Sequence, residues 1–253
     1  MKNDDTEDLK AAFVRLQKTL MEPFRLMVEW QERWQQLIRK LEPILEPIFI
    51  ELQKKYHEFP YRLRKALLLV GNHGWYLDPW EMTLSDLWKL ENALSEGNIE
   101  DAETELIEHF EKNLDKIEKS IIERFPMREK LVTAAFGAHR KQEYELSIPV
   151  FLAQTDGICK DIAKKYLFIK SNNKPDVAAF VDHTYTTDPV GAAFLSPLTE
   201  TLSISVSEKK RSKVFNGLNR HMVLHGESLD YGTKQNSLKA ISLLNYVATM
   251  LSL

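Results

Sequence analysis

The strongest constraint on this chain is one stretch in which Ile99, Ala102, Leu106, Phe110, Leu114, Ile117 and Ile121 place an apolar residue every three or four positions. That spacing draws a single stripe along a helix of 3.6 residues per turn, and a strand, with its period of two, cannot accommodate it. Asn98 and Asp101 form a start signal. Phe125-Pro126 is the stop, because proline removes a backbone donor and crowds the preceding turn.

The same period recurs along the chain. Leu9, Phe13, Leu16 and Leu20, then Trp30, Trp34, Leu37 and Leu41, then Leu45, Phe49, Leu52 and Tyr56 predict three helical segments in the first 60 residues, with breaks at Pro23 and at Pro43 and Pro47. Such stripes suit a packed helical layer or a partner surface. Tyr61–Val70 reads as helix and Gly71-Asn72-His73-Gly74 as a turn; Trp75, Tyr76, Pro79 and Trp80 read as an aromatic loop lying over a core edge. Thr83 and Asp86 have the spacing of a capping box for a helix through Leu94 that closes near Gly97.

From about residue 145, Ile148, Phe151, Thr155, Ile158, Ile162 and Tyr166 mark a further helix, followed by a loop over Ser171–Pro175. Asp188-Pro189 reads as a cap with proline at the first helical position, and short helical pieces split by Pro197 run to about Ser205. Two closing helices are expected over Glu208–His225 and Asn236–Leu251, joined by the glycine-containing connector 226–235. Only 9 of 253 residues are glycine, too few for the many turns of a sandwich or barrel, so the expectation is an all-α, multi-helix bundle.

No apolar run reaches the roughly 18 residues needed to span a bilayer, and the acidic start does not resemble a signal peptide. The lone cysteine, Cys159, excludes an internal disulfide and any multi-cysteine metal site, in keeping with a reducing, cytoplasmic setting. Net charge is −3, yet from Arg140 onward 14 Lys and Arg face 11 Asp and Glu. Contacts with a polyanion are therefore expected in the C-terminal part.

Within that part, Asn219-Arg220-His221-Met222-Val223-Leu224-His225-Gly226 puts one arginine and two histidines within six residues, next to Lys209, Lys210, Arg211 and Lys213. Cleavage of RNA needs a base for the 2′-OH proton, an acid for the 5′-oxygen and a fixed cation on the phosphate. Histidine titrates near neutral pH and suits the first two tasks. Arginine suits the third through its planar fork of donors. Five helical residues turn through roughly 500°, so Arg220 and His225 point about 140° apart unless the helix stops at His225, where Gly226 is a natural left-handed terminator. His221 and His225 share a face, a spacing that also fits a two-histidine metal pair with Glu227 or Asp230 as third ligand. An Arg-x4-His pair is expected by chance on the order of 0.3 times in such a chain, so the surrounding sequence must carry the reading.

Those residues, with Leu229-Asp230-Tyr231-Gly232 and the apolar helix from Asn236, resemble the C-terminal part of HEPN-type proteins, all-helical domains of toxin–antitoxin and anti-phage systems. Their hallmark is arginine, a polar residue, three variable residues and histidine, matched by Arg220, His221, Met222-Val223-Leu224 and His225. The resemblance covers roughly residues 145–253 and sets an expected division into an N-terminal helical region, 1–140, and an HEPN-like domain, 141–253. It implies a metal-independent endoribonuclease without a cofactor, leaving 2′,3′-cyclic phosphate and 5′-OH ends. Arg220 would hold the phosphate, His225 would transfer protons and His221 would assist. Lys209, Lys210, Arg211, Lys213 and Tyr231 would contact RNA. A homodimer is implied, as is an antitoxin or regulatory protein partner, although the tyrosine that several such toxins carry two residues after the histidine is here Glu227. The alternative is a non-catalytic helical module for interaction or RNA binding.

Overall fold

A computed structural model describes residues 57–171, 173–212, 215 and 217–252. The helices expected over the first 56 residues, with their breaks, lie outside the described residues. Those described are predominantly α-helical, with one two-stranded ribbon. No helix among them is long and apolar enough to cross a membrane.

Residues 57–72 form α1, which ends in the expected turn, Gly74 adopting φ +83°. Helix α2 spans Leu84–Ser95 and opens on a complete capping box: the Thr83 hydroxyl accepts from Asp86 N, and the Asp86 carboxylate accepts from Thr83 N at 2.8 Å. The striped segment becomes α3, Ile99–Arg124, and buries Ala102, Leu106, Phe110, Ile117 and Ile121. Sequence reading overlooks α4, Glu129–Arg140, whose stripe of Val132, Ala135, Phe136 and His139 is buried but short. Helix α5 spans Tyr144–Ala163. A ribbon of Lys170–Ser171 (β1) antiparallel to Lys174–Pro175 (β2) replaces the loop expected there. Short helices α6 (Ala178–Thr184), α7 (Pro189–Phe194) and α8 (Ser196–Thr199) follow, with Pro189 at the start of α7 behind the Asp188 cap, as the sequence suggests.

Two elements differ at the C-terminal end. In place of one helix over 208–225 there is a 3₁₀ turn, Glu208–Lys210, and a separate five-residue helix, α9, Arg220–Leu224; none of the described residues between them is helical. The last helix, α10, runs Lys234–Met250 and is buried on every side from Ser237 onward, the signature of a helix through the middle of a core rather than on its surface. It packs on α5 and α3, while α4 packs on α5.

Residues from Pro60 to Ser252 therefore form one compact unit. The boundary expected at 140–141 falls inside it, because α3 and α4, on one side of that point, share their buried faces with α5 and α10 on the other. Polar groups fasten the bundle as well. Arg124 donates to the Ala248 carbonyl at 2.8 Å and to Thr249 Oγ1 at 3.0 Å, satisfying the end of α10, where no helical donor remains. Its burial lowers the guanidinium pKa to about 10.

Candidate functional site

Helix α9 is too short to owe its existence to propensity and is made by its two ends. At the start, Asn219 is buried; its side-chain oxygen accepts from His221 N at 3.1 Å and Met222 N at 3.3 Å. Its amide nitrogen donates to the carbonyls of Ser203 at 2.8 Å and Val206 at 3.0 Å, so the cap also ties α9 to the segment before it. At the finish, Gly226 adopts φ +70°, Gly226 N donates to Val223 O and Glu227 N to Met222 O at 2.8 Å. This is a Schellman closure, and Gly226 is the terminator expected from sequence.

The closure folds Glu227 back along the helix. One carboxylate oxygen stands 3.0 Å from His221 Nε2, and the other accepts from Arg211 Nη2 at 3.1 Å. The hydrogen bond from Arg211 is the main reason the Glu227 carboxyl titrates below its ordinary range, with the charges of His221, Arg211 and His225 adding to it. The His221 and His225 rings lie 4.2 Å apart, centroid to centroid, tilted by 44°, and both residues are exposed. The predicted histidine pair is thus formed and open to solvent.

Arg220 goes elsewhere. Its guanidinium sits 5.6 Å from the centre of the Phe168 ring, and Nε is buried without a hydrogen-bond partner among the described residues. Among the described residues no hydrogen bond or ion pair joins it to either histidine, in keeping with the 140° of rotation that helical geometry imposes. The convergence of Arg220 and His225 expected from an early helix end does not occur within one chain. Phe168 reaches this place because Asp156 on α5 accepts from the backbone N–H groups of Leu167 and Phe168, a link invisible in sequence spacing.

The predicted RNA contacts divide. Lys209 and Lys210 are exposed on the 3₁₀ turn, and Lys213 lies outside the described residues. Arg211 is not presented to solvent: its side chain is 8% exposed and spent on Glu227. Lys170, unnoticed in the sequence, donates to Ser205 O at 2.7 Å; burial and then the charge of Lys210 hold its pKa down. Tyr231 has a structural task. Pro149 has no N–H, so the Glu145 carbonyl one turn earlier lacks its helical donor, and the Tyr231 hydroxyl supplies one at 3.0 Å.

Beside α9 lies a cleft of about 770 Å³ lined by Met222 and Val223 of the helix together with Asn219, Phe215, Tyr231 and Lys239. Arg220, His221 and His225 are not part of its wall. Among the described residues no group of three or more His, Cys, Asp or Glu is arranged to hold a metal ion, and Glu227, one of the two third ligands considered, is engaged with His221 and Arg211. No family model matches the chain, and no curated protein or solved structure is found to be similar to it.

Proposed function

We propose that this protein is an HEPN-type endoribonuclease that works without a metal ion and acts as a homodimer, in toxin or anti-phage defence. The observation that carries the reading is the exposed His221–His225 pair braced by Glu227. In a neutral His221 whose Nε2–H is taken by the carboxylate, Nδ1 is left as the accepting nitrogen, the form a general base requires. The base removes the 2′-OH proton as O2′ attacks phosphorus; an imidazolium gives a proton to the departing O5′ as the P–O5′ bond breaks. The ends left are a 2′,3′-cyclic phosphate and a 5′-OH.

In-line displacement puts entering and leaving oxygens on opposite sides of phosphorus. Two rings 4.2 Å apart flank one side only, so the pair of a second copy is the source of the opposing group. Arg220 of the facing copy, and the exposed Lys209 and Lys210, would meet the phosphates. An antitoxin or regulatory partner would restrain such an activity.

The test is cleavage of total RNA in EDTA, with analysis of the ends, by wild type and by His225→Ala. Loss of at least about 100-fold with folding intact is expected for a proton-transfer residue. Equal cleavage by the two proteins, together with equal growth arrest on expression, would overturn the reading. One observation favours the alternative, a non-catalytic helical module: Arg220 packs on Phe168 as a structural residue does. That version expects Arg220→Ala to lower the melting temperature while neither protein cuts RNA.

A further inference from the structure

A second polar site lies away from α9. Asp78, in the loop between α1 and α2, is only 1% exposed yet carries a carboxylate. Its Oδ1 accepts from Asn245 Nδ2 and from Trp80 N, each at 3.2 Å, and its Oδ2 meets His109 Nε2 at 3.1 Å. Among the described residues no lysine or arginine pairs with it. A carboxylate offers about four acceptor positions, so one on Oδ2 is left over.

Asn245, also 1% exposed, holds its side-chain oxygen buried with no donor among the described residues. The amide cannot simply be turned around, because the group facing its nitrogen is a carboxylate that only accepts. A buried acceptor without a partner is costly and calls for one.

Both residues line a cleft of about 340 Å³ whose other walls include Trp80, Ile117 and Ser120. At its edge Lys116 is paired with Glu81 at 3.0 Å, so these two charges cancel, and the carboxylate left facing the cleft is Asp78, with the His109 ring on its Oδ2. The hydroxyl and carbonyl of Ser120 already accept from Arg124. The open positions on the two buried groups are acceptors, one on Asp78 and two on Asn245, matching the three donors of an –NH₃⁺ group; the Ser120 hydroxyl and the Asn113 amide, also in the wall, can add a donor to the rest of a ligand. Trp80, 39% exposed, stands in the same wall, and an indole is the strongest aromatic partner of a cation.

We propose that this cleft binds a small primary ammonium compound, its –NH₃⁺ held by the Asp78 carboxylate and the Asn245 amide oxygen and its short alkyl part lying against Trp80 and Ile117. The site shares no residue with α9, and its occupant is independent of any action on RNA.

The test titrates the full-length protein with n-butylammonium chloride and separately with n-butanol, following the heat of binding and the indole N–H signals, with the Trp80 signal assigned by Trp80→Phe. Saturable binding of the amine that moves the Trp80 signal is expected, with butanol weaker by at least about tenfold. Asn245→Ala should weaken the amine by roughly tenfold. If that variant fails to fold, Trp80→Ala, at a partly exposed position, should keep the wild-type melting temperature and weaken the amine roughly threefold. No saturation by the amine, equal binding of butanol, or unchanged affinity in a folded variant would each overturn the proposal.

Discussion

The bundle of α3, α4, α5 and α10 and the segment 164–233 are built by different means. In the bundle, helices of up to 26 residues take their places by burying periodic apolar stripes. In the segment, the longest helix among the described residues is the seven residues of α6, and besides a buried apolar set that includes Val177, Leu195, Leu198 and Leu202 the chain is fixed by single polar bonds: Asp188 to the start of α7, Asn219 to two carbonyls, Lys170 to Ser205 O, Thr201 to Asn173 O. The first arrangement is redundant and stable; the second is specific and leaves side chains at the surface. Residues with chemistry to offer, His221, His225 and Glu227, lie in the second, whose position is set by the first.

The difference breaks most visibly in a truncation series. Phe151 is fully buried and meets Phe136 edge-on at 5.0 Å. Phe151→Ala is expected to cost about 3–5 kcal/mol in urea unfolding, from lost burial and the cavity left behind. Leu229→Ala, at a position 91% exposed in the segment, is expected to stay within about 0.5 kcal/mol. Comparable losses at the two sites would show that Leu229 carries packing that its exposure does not suggest.

A smaller effect separates the regions by pH. His139 is buried between α4, α5 and α10, its Nδ1 2.8 Å from Ser237 Oγ, which in turn lies 2.9 Å from Ser147 Oγ. Burial pushes its pKa down to about 4, below the ordinary 6.5. The unfolded chain then binds the proton first as pH falls, so this histidine's contribution is whole above about 6.5 and is lost progressively toward pH 4. Urea midpoints measured across that window should fall with pH in the wild type. His139→Gln, which cannot titrate, should flatten the slope.

Legibility in the sequence divides along the same line. Stripes and caps announce α2, α3, α5 and α10 because such signals are local and periodic, and Gly226 announces its own left-handed turn. The helix expected over 208–225 fails because Asn219 turns toward Ser203 and Val206 and restarts the chain there. The aromatic loop proves half core: Trp75 and Tyr76 are buried and only Trp80 is open. Tyr231 reads as an RNA contact in the sequence because its partner, the carbonyl freed by Pro149, is 86 residues away and leaves no trace in local pattern. Long-range polar bonds are the part of a fold that composition and period do not encode.

The finest comparison uses two glycines in the same conformation. Gly97, between α2 and α3, has φ +85°, and Gly226, after α9, has φ +70°; a Cβ at either would meet nothing within 4 Å. Replacing each by alanine therefore introduces the same left-handed strain and no clash, so Gly97→Ala and Gly226→Ala are each expected to cost about 1 kcal/mol in urea unfolding. Their consequences diverge in the residues beyond each turn. After Gly97 comes Asn98 and a long helix locked by its own stripe. After Gly226 comes Glu227, whose N–H closes the helix on Met222 and whose carboxylate holds His221. Relaxing that turn moves the carboxylate off the imidazole, so RNA cleavage should fall in Gly226→Ala and not in Gly97→Ala. If two equally strained variants lose cleavage equally, the loss reports stability alone and the Glu227–His221 contact has no part in the chemistry.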